Sequence, residues 1–306
     1  MDINLEDLKK RGDFISFKEI TKLINLDLTP QNKVLVIGGS ELIPGAALLT
    51  LRAAKKCGAK GVAFASTENV ISNTEILYAG ALKLIKMKDF SKEEFKEKIM
   101  PKIKDYGCVI IGPGMFFDND SEKEGVKYFL KNYNFKTPLI IDANAIDVIV
   151  ENPEIIKKIK SDLILTPNLK EFEAIIKKKI NKNNISKILE EAKKLCKNTN
   201  ITLLIKGAVD IITNGKKNIF NIAGHPVFAI AGSGDCVAGC IGGFLSLNNT
   251  PLSATSAGIY VFSRAGNYSY REVGYSLDPV DVLDNIPKVM KEILDFNTVS
   301  ESRYYA

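Results

Sequence analysis

The sequence contains a single histidine, His225, among 306 residues. It therefore has no HExxH motif, no histidine-rich zinc site and no pair of histidines for acid–base work, and a Ser–His–Asp triad would have to use this one residue. The ordinary counts of glycine (22) and proline (11) exclude a collagenous or low-complexity chain. A hydrophobic content of 45% is too high for a disordered chain and is sufficient for a sizeable core.

Cysteine is scarce, and no CxxC motif is present. An odd number of widely spaced cysteines favours reduced, mostly buried thiols in a cytosolic protein. They are Cys57, Cys108, Cys196, Cys236 and Cys240.

Signals for export, membrane insertion or nucleic-acid binding are also missing. Residues 1–14 are charged from the second position and have no apolar h-region, so we expect no signal peptide and a cytoplasmic protein. The longest apolar run, residues 228–247, contains Asp235 and five glycines, which favours a loop and a buried helix over a membrane span. The net charge is only +6 and the lysines are scattered, so we expect no nucleic-acid partner.

Short, continuous apolar runs alternate with amphipathic stretches between residues 33 and 206. Runs without polar alternation indicate strands buried on both faces, as in a parallel sheet, and the alternation with helices indicates βαβ units. One such helix is predicted over 45–58, with Gly58 as its C-terminal cap. The predicted strands are 34–37, 108–111, 139–141, 163–165 and 202–205.

The pattern changes after Lys206. Residues 210–220 indicate a hairpin with Asn214-Gly215 at its turn, and helices are predicted to begin near Asp235 and to cover 251–267 and 278–295. No Gly-, Ser- or Pro-rich linker divides the chain. We therefore predict one domain over 33–306, with residues 1–32 forming a helical extension of it.

The most distinctive cluster is Gly232-Ser233-Gly234-Asp235, immediately before an apolar helix. Glycines beside a serine allow a tight turn, and the free amides and dipole of a helix start favour an anion such as a transferring phosphoryl group. Asp235 could then accept a proton from the attacking hydroxyl. An equally good interpretation of this cluster alone is a simple helix cap. The P-loop and dinucleotide-binding glycine spacings are both absent.

Taken together, the motifs resemble those of the ADP/ATP-dependent NAD(P)H-hydrate dehydratases, a branch of the ribokinase-like superfamily. The resemblance implies a three-layer α/β/α sandwich around a mostly parallel sheet. It covers about residues 33–294, in segments of matching order and spacing: 34–49, 109–115, 139–146, 163–172, 203–212, 229–245 and 276–287.

The resemblance implies nucleotide-driven repair of hydrated NADH or NADPH, in which the 6-hydroxyl is phosphorylated and phosphate is then eliminated. ADP or ATP would be the donor and Mg²⁺ the cofactor. Asp235 matches the family's base, and the amides of Gly232, Ser233 and Gly234 would form the anion hole, with Gly234 also contacting the nucleotide. The other matches are Ala46, Gly114, Asn168 and Asp235 for the hydrated substrate and Lys206, Gly207, Ala208, Val209 and Asp210 for the nucleotide.

Three positions depart from the family pattern. Asn168 stands where the family usually has histidine, and Asn144 where it usually has a second aspartate. Asn168 and Glu171 also match the NxxE of sugar and vitamin kinases, in which the glutamate places Mg²⁺ through water, or form a plain capping box. His225 stands where relatives tend to have asparagine, and we predict a turn residue there.

Two other functions stay open at this point. A small-molecule kinase would use the same Asp235 but release a stable phosphate ester. A nucleotide-binding regulator without turnover would be expected to lack the base, which is present. The resemblance also implies a homo-oligomer, and it does not separate ADP from ATP.

Overall fold

In the computed structural model, which describes residues 5–24, 33–74, 82–117 and 119–302, a ten-stranded sheet lies between two layers of helices. The strand order is β1-β10-β9-β8-β7-β6-β5-β2-β3-β4. The strands are β1 (Asp13–Phe14), β2 (Lys33–Ile37), β3 (Gly61–Thr67), β4 (Leu82–Met87), β5 (Cys108–Ile111), β6 (Leu139–Ile141), β7 (Leu163–Leu165), β8 (Ile201–Ile205), β9 (Asp210–Thr213) and β10 (Asn218–Asn221).

All pairings in this sheet are parallel except those of β9, which runs against β8 and β10. The central strands β5 to β8 are buried along their whole length, which explains their continuous apolar sequences. The five predicted strands and the hairpin at 210–220 are therefore confirmed, and so is the mostly parallel sheet.

Helices cover both faces of the sheet. One face packs on α2 (Phe17–Leu23), α3 (Pro44–Lys56), α4 (Glu68–Thr74), α10 (Ser233–Ser246), α11 (Pro251–Val273) and α12 (Pro279–Ser302). The other packs on α1 (Leu5–Lys9), α6 (Asp120–Lys131), α7 (Ala145–Glu151), α8 (Leu169–Ile176), α9 (Ile185–Cys196) and the helical segment that begins with α5 (Lys92–Glu94) and continues to Asp105. The apolar side chains of each strand alternate between these two cores, which gives the three-layer sandwich.

Three strands were missed from the sequence. Strand β4 lies at the sheet edge, where exposed Lys83 and Lys86 interrupt its apolar pattern. Strand β1 has only two residues and is held by parallel pairing with β10. Strand β3 is buried but mixes alanine, serine and threonine with its apolar residues, so it is not a continuous run of large apolar side chains.

Residues 5–24 form two helices and the edge strand β1, and Ile20 of α2 is fully buried in the main core. The predicted helical extension also includes residues 1–4 and 25–32, which lie outside the described residues. The division into a 1–32 extension and a 33–306 domain stays a prediction.

The cysteines and the long helices agree with the expectations from the sequence. All five cysteines are buried and free. Within the described ranges, no helix combines the length and the apolar character that crossing a bilayer requires.

The order of the strands reverses between β2 and β5. From β2 the chain proceeds to β3 and β4 on one side, and from β5 it proceeds to β6, β7 and β8 on the other. In open parallel sheets, ligands bind at the carboxyl ends of the strands beside such a reversal. The segments that follow β2, β5, β6, β7 and β8 therefore meet at the edge where a site is expected.

Close packing of α3 against α10 gives a stability prediction. A Cβ atom on Gly239 would lie 2.2 Å from the Thr50 carbonyl oxygen and 2.6 Å from the Ala53 Cβ, so Gly239→Ala should force these helices apart and lower the free energy of unfolding by about 1–3 kcal/mol. A Cβ on Gly45 meets nothing within 4 Å, so Gly45→Ala should leave the free energy of unfolding unchanged or raise it by up to about 1 kcal/mol. Urea unfolding of both variants measures this, and wild-type stability of Gly239→Ala would contradict it.

Candidate active site

The first turn of α10 lies at the carboxyl edge of the sheet. Gly232 caps the helix with φ +90°, a left-handed conformation that favours glycine, and Asp235 is the third helical residue. Ser233 holds the turn, because its hydroxyl and its N–H donate to the carbonyl oxygens of Phe228 and Ile230. Of the three predicted anion-hole residues, Ser233 thus already uses its amide, whereas Gly234 lies in the first turn, where N–H groups have no intrahelical acceptor.

Asp235 is half-buried, and its carboxyl is a weaker acid than an ordinary aspartate. Burial raises the pKa of its carboxyl to about 7, the charge of Asp142 raises it too, and the charge of Lys206 opposes both. A general base works best when its pKa lies near the working pH. The environment of Asp235 therefore suits a group that takes up a proton near neutral pH.

Lys206, which follows β8, lies directly opposite the first turn of α10. Its Nζ atom is 2.9 Å from Oδ1 of Asp142, and a Cβ placed on Gly234 would lie 3.0 Å from the same Nζ. Burial acts to lower the pKa of Lys206, but Asp142, Glu171 and Asp235 outweigh it, so the pKa is raised. A fixed cation thus faces the helix start at which an anion would bind.

Asp142, which follows β6, was missed as a site residue. Its residue is 1% exposed, and its Oδ1 also accepts a hydrogen bond from the Thr166 hydroxyl at 2.7 Å. The strand–polar junctions at Asp142 and Thr166 were visible in the sequence, since each follows a buried strand. Their contact with each other and with Lys206 was not.

A second missed residue, Thr50 of α3, connects Asp235 to the predicted substrate contacts. Its buried hydroxyl lies 3.1 Å from the carbonyl oxygen of Asp235 and 3.0 Å from that of Ala46. A Cβ on Gly114, whose φ is +68°, would lie 3.1 Å from the Ala46 Cβ and 2.4 Å from the carbonyl oxygen of Ile43. Ala46 and Gly114 are therefore neighbours, close to the switch point and joined to Asp235 through α3.

Asn168 and Glu171 form the capping box of α8. The Asn168 side chain accepts from the Glu171 N–H at 3.0 Å, and a Glu171 carboxylate oxygen accepts from the Asn168 N–H at 2.8 Å. The backbones of Asn168 and Lys206 pair as an isolated bridge, which brings this cap to the site. Burial raises the pKa of Glu171, although the Asn168 hydrogen bond and Lys206 act against it.

The predicted nucleotide-binding segment is the turn between β8 and β9. The Gly207 N–H donates to the Asp210 carboxylate at 3.0 Å, and Asn221 donates to its other oxygen at 2.8 Å. Burial raises the pKa of Asp210 to about 6 against these bonds. Gly207 and Ala208 are exposed, whereas Val209 is buried in the core, so its side chain supports the turn from below.

His225 lies in a turn, as predicted. Its Nδ1 accepts from the Val227 N–H at 3.2 Å, and its ring stacks on Tyr270 with centroids 4.7 Å apart. These contacts do not reach Asp235, Lys206 or Asp142, and no triad that includes His225 forms among the described residues.

The carboxylates at this edge decide how the site could hold Mg²⁺. Across the described ranges, no three His, Cys, Asp or Glu side chains converge on a metal site. Magnesium in phosphoryl-transfer sites is usually held by one or two carboxylates together with substrate phosphates and water. Glu171, whose second carboxylate oxygen is not used in the capping box, fits such a nucleotide-borne ion.

Two surface cavities lie away from this edge. One of about 380 Å³ lies beside α5 and α6, and one of about 600 Å³ lies between Lys10 and α9. Neither contains a residue of the site described above. The candidate active site is therefore set by the strand ends and α10, and the two cavities belong to other surfaces.

The mostly parallel sheet between two helix layers, with Asp235 and Lys206 beside its switch point, defines a ribokinase-like α/β fold. Solved structures that share the fold include a member of the ribokinase-like superfamily. The ADP/ATP-dependent NAD(P)H-hydrate dehydratase of Bacillus subtilis, crystallised with ATP and Mg²⁺, superposes with a TM-score of 0.73 at 22% identity, over 92% of this chain and 99% of that one.

The family model described as NAD(P)H-hydrate dehydratase matches residues 34–288, and the chain belongs to this family. The ADP-dependent (S)-NAD(P)H-hydrate dehydratase of Nitrosopumilus maritimus is 27% identical over 84% of this chain and 88% of that protein. The bifunctional NAD(P)H-hydrate repair enzyme of Methanocaldococcus jannaschii is 31% identical over 85% of this chain and 48% of that protein. The chain thus spans about half the length of the bifunctional relatives that it matches.

Proposed function

We propose that this chain dehydrates the hydrated forms of NADH and NADPH, using ADP or ATP as the phosphoryl donor. The observation that carries the proposal is the placement of Asp235 in the first turn of α10, opposite Lys206 and joined through Thr50 to Ala46. Membership of the dehydratase family supplies the substrate class. Gly234 and the 206–210 turn would hold the nucleotide, with Gly232 and Ser233 shaping the anion-binding turn, and Ala46, Gly114 and Asn168 would contact the hydrated nicotinamide.

The reaction divides into two steps. Asp235 accepts the proton of the 6-hydroxyl as its oxygen attacks the terminal phosphoryl group of the nucleotide, and ADP leaves from ATP or AMP from ADP. The phosphate ester then loses phosphate from C6 and a proton from C5, which restores the double bond. Hydroxide is a poor leaving group and phosphate a good one, which explains why a nucleotide is consumed.

Charges of this chain's own residues support the first step. The Lys206 ammonium and the Gly234 amide present positive charge at the position where the transferring group would lie. Mg²⁺ bound with the nucleotide would neutralise further phosphate charge, with Glu171 orienting its water. Small residues at 46 and 114 would let a bulky dinucleotide approach the backbone.

One assay distinguishes this function from the alternatives. The protein is incubated with hydrated NADH, Mg²⁺ and either ADP or ATP, and the absorbance of the regenerated dihydropyridine is followed together with phosphate release. We expect both signals to rise in step. Nucleotide turnover only with an alcohol such as a sugar or hydroxymethylpyrimidine would instead identify a small-molecule kinase, and nucleotide binding without turnover a regulator.

The acidity of Asp235 predicts the pH dependence of this activity. Its carboxyl acts as a base only when deprotonated, and its pKa is raised to about 7. We therefore expect kcat/KM to be constant above that pH and to fall about tenfold for each pH unit below it. A pH profile measured with saturating Mg²⁺ checks this, and a profile that stays flat down to pH 5 would exclude Asp235 as the base.

We also propose, from the resemblance alone, that copies of the chain associate into a homo-oligomer. Light scattering or sedimentation of the purified protein measures this directly, and a monomer at assay concentration would contradict it.

A further inference from the structure

Asp142 is a buried, doubly hydrogen-bonded side chain beside the site, and it lies outside the predicted catalytic cluster. Its Oδ1 accepts hydrogen bonds from Thr166 at 2.7 Å and Lys206 at 2.9 Å, so three strand ends are joined at one oxygen atom. Asp142 as a whole is only 1% exposed to solvent. Breaking the ion pair of a buried carboxylate is strongly destabilising, so the position of Asp142 is well defined.

The backbone around Asp142 is fixed as tightly as its side chain. The next residue, Ala143, has φ +49°, an uncommon left-handed conformation for a residue other than glycine. A Cβ on Gly112 would lie 1.8 Å from the Asp142 carbonyl oxygen, so the chain after β5 approaches this turn closely. Strained backbone that surrounding contacts maintain is typical of functional sites.

We propose that Asp142 is a positioning residue, which holds the Lys206 ammonium beside Gly234 and places a fixed negative charge opposite Asp235, and that the Thr166 hydroxyl holds Asp142. This inference rests on the proposed function, because the base and the phosphoryl site that Asp142 serves are those of the dehydratase. Asp142 itself touches neither substrate nor nucleotide in this assignment.

The charged groups around the base support a specific role for Asp142. Asp142 and Lys206 act on Asp235 directly, and Glu171 acts on Lys206. Asp147 acts on Glu171, while Arg52 and Asp278 act on the neighbouring Cys236. Removing the Asp142 charge therefore removes a contribution that raises the pKa of Asp235 and leaves Lys206, which lowers it.

The first test is Asp142→Asn, which keeps the side-chain shape. We expect the acidic limb of the kcat/KM profile to move from about pH 7 to lower pH, and kcat/KM on the plateau to fall on the order of 10²-fold as Lys206 loses its fixed position. Asp147→Asn is the matched control, because it removes a nearby carboxylate that acts on Glu171 rather than on Asp235. Asp147→Asn should leave the acidic limb of the kcat/KM profile at the wild-type pH.

Carbon-13 NMR of aspartate-labelled protein gives a readout that does not need turnover. The Asp235 signal, assigned from its loss in Asp235→Asn, should titrate at lower pH in Asp142→Asn than in wild type. An unmoved titration, with only a lower melting temperature, would show a purely structural role and overturn the proposal. If wild type has no activity on hydrated NADH but the titration still moves, the proposed function fails while the link between Asp142 and Asp235 holds.

Thr166 supplies a second pair of variants that keep the charge of Asp142. Thr166→Val removes the hydroxyl at nearly constant volume and should lower the kcat/KM plateau about tenfold or more, with the acidic limb staying close to pH 7. Thr166→Ser restores the hydroxyl and should recover the plateau. Wild-type plateau activity of Thr166→Val in folded protein would show that Thr166 does not position Asp142.

Discussion

Asp235→Asn is expected to lower the rate of NAD(P)H-hydrate dehydration by about 10²–10⁴-fold while leaving the nucleotide dissociation constant nearly unchanged. The amide cannot accept the hydroxyl proton, which accounts for the loss of rate. It keeps the shape of the side chain in the first turn of α10, which accounts for the retained binding. Steady-state kinetics and calorimetric titration with ADP measure the two effects separately.

The control for this variant is Asp278→Asn, which removes an exposed carboxylate that interacts with the same end of α10. Its rate should stay within a few-fold of wild type. Near-wild-type turnover in Asp235→Asn would remove Asp235 from the mechanism and with it the assignment of the α10 start as the catalytic centre.

Asp235→Asn should also raise the free energy of unfolding at alkaline pH. Burial raises the pKa of Asp235 from 3.8 to about 7, so the folded state binds a proton that the unfolded state has lost between these values. The free energy of unfolding therefore falls as the pH rises from about 4 to 7, and it stays reduced above that range. Since Asp235 is partly solvent-accessible, we expect Asp235→Asn to gain about 1–3 kcal/mol at pH 8 and little at pH 4.

Denaturant unfolding of wild type and Asp235→Asn at the two pH values measures this difference. An equal difference at pH 4 and pH 8 would show that the variant acts through packing rather than through the buried charge.

Lys206→Ala is expected to have two large effects. Loss of the ammonium opposite Gly234 should weaken ADP binding by about 10- to 100-fold, since hydrogen bonds to charged groups contribute about 1.5–3 kcal/mol. It also leaves the Asp142 carboxylate buried beside Thr166 without its cation, which should lower the free energy of unfolding by about 3–5 kcal/mol. Calorimetric titration and urea unfolding measure the two.

A double-mutant cycle separates these effects. Adding Asp142→Asn to Lys206→Ala removes the unpaired charge and should recover much of the lost stability, but it should not restore ADP binding. Lys216→Ala, on the exposed turn after β9, is the matched control and should change neither quantity. Wild-type ADP affinity in Lys206→Ala would place the nucleotide phosphates elsewhere.

Particular elements show how far the sequence could predict this fold. Strands β5 to β8 were predicted because central parallel strands are buried on both faces and therefore have continuous apolar sequences. The ends of the last two helices were predicted less well: α11 extends to Val273 and α12 to Ser302, beyond the predicted 267 and 295. Hydrogen bonds to α12 hold the last turns of α11 through Ser269 and Glu272, and periodicity over a short window does not record them.

In the candidate site, too, local features could be predicted from the sequence and remote contacts could not. The cluster 232–235 was predicted because a tight turn, a helix start and an acid follow one another along the chain, so their chemistry is local. The partners of Asp235 are remote: Thr50 is 185 residues away in sequence, and Asp142 and Lys206, which are joined by an ion pair, are 64 apart. Thr50, Thr166 and Asp142 have no sequence signal that connects them.

The amino-acid sequence by itself determined the alternating strands and helices, the reduced thiols, the acid at the start of α10 and the family to which these motifs belong. The tertiary structure alone decided that Thr166 and Lys206 both donate to one oxygen atom of Asp142 and that burial raises the pKa of the Asp235 carboxyl to about 7. The reason is physical: strand and helix propensities are local, whereas desolvation and charge–charge interactions depend on which residues the sheet brings together.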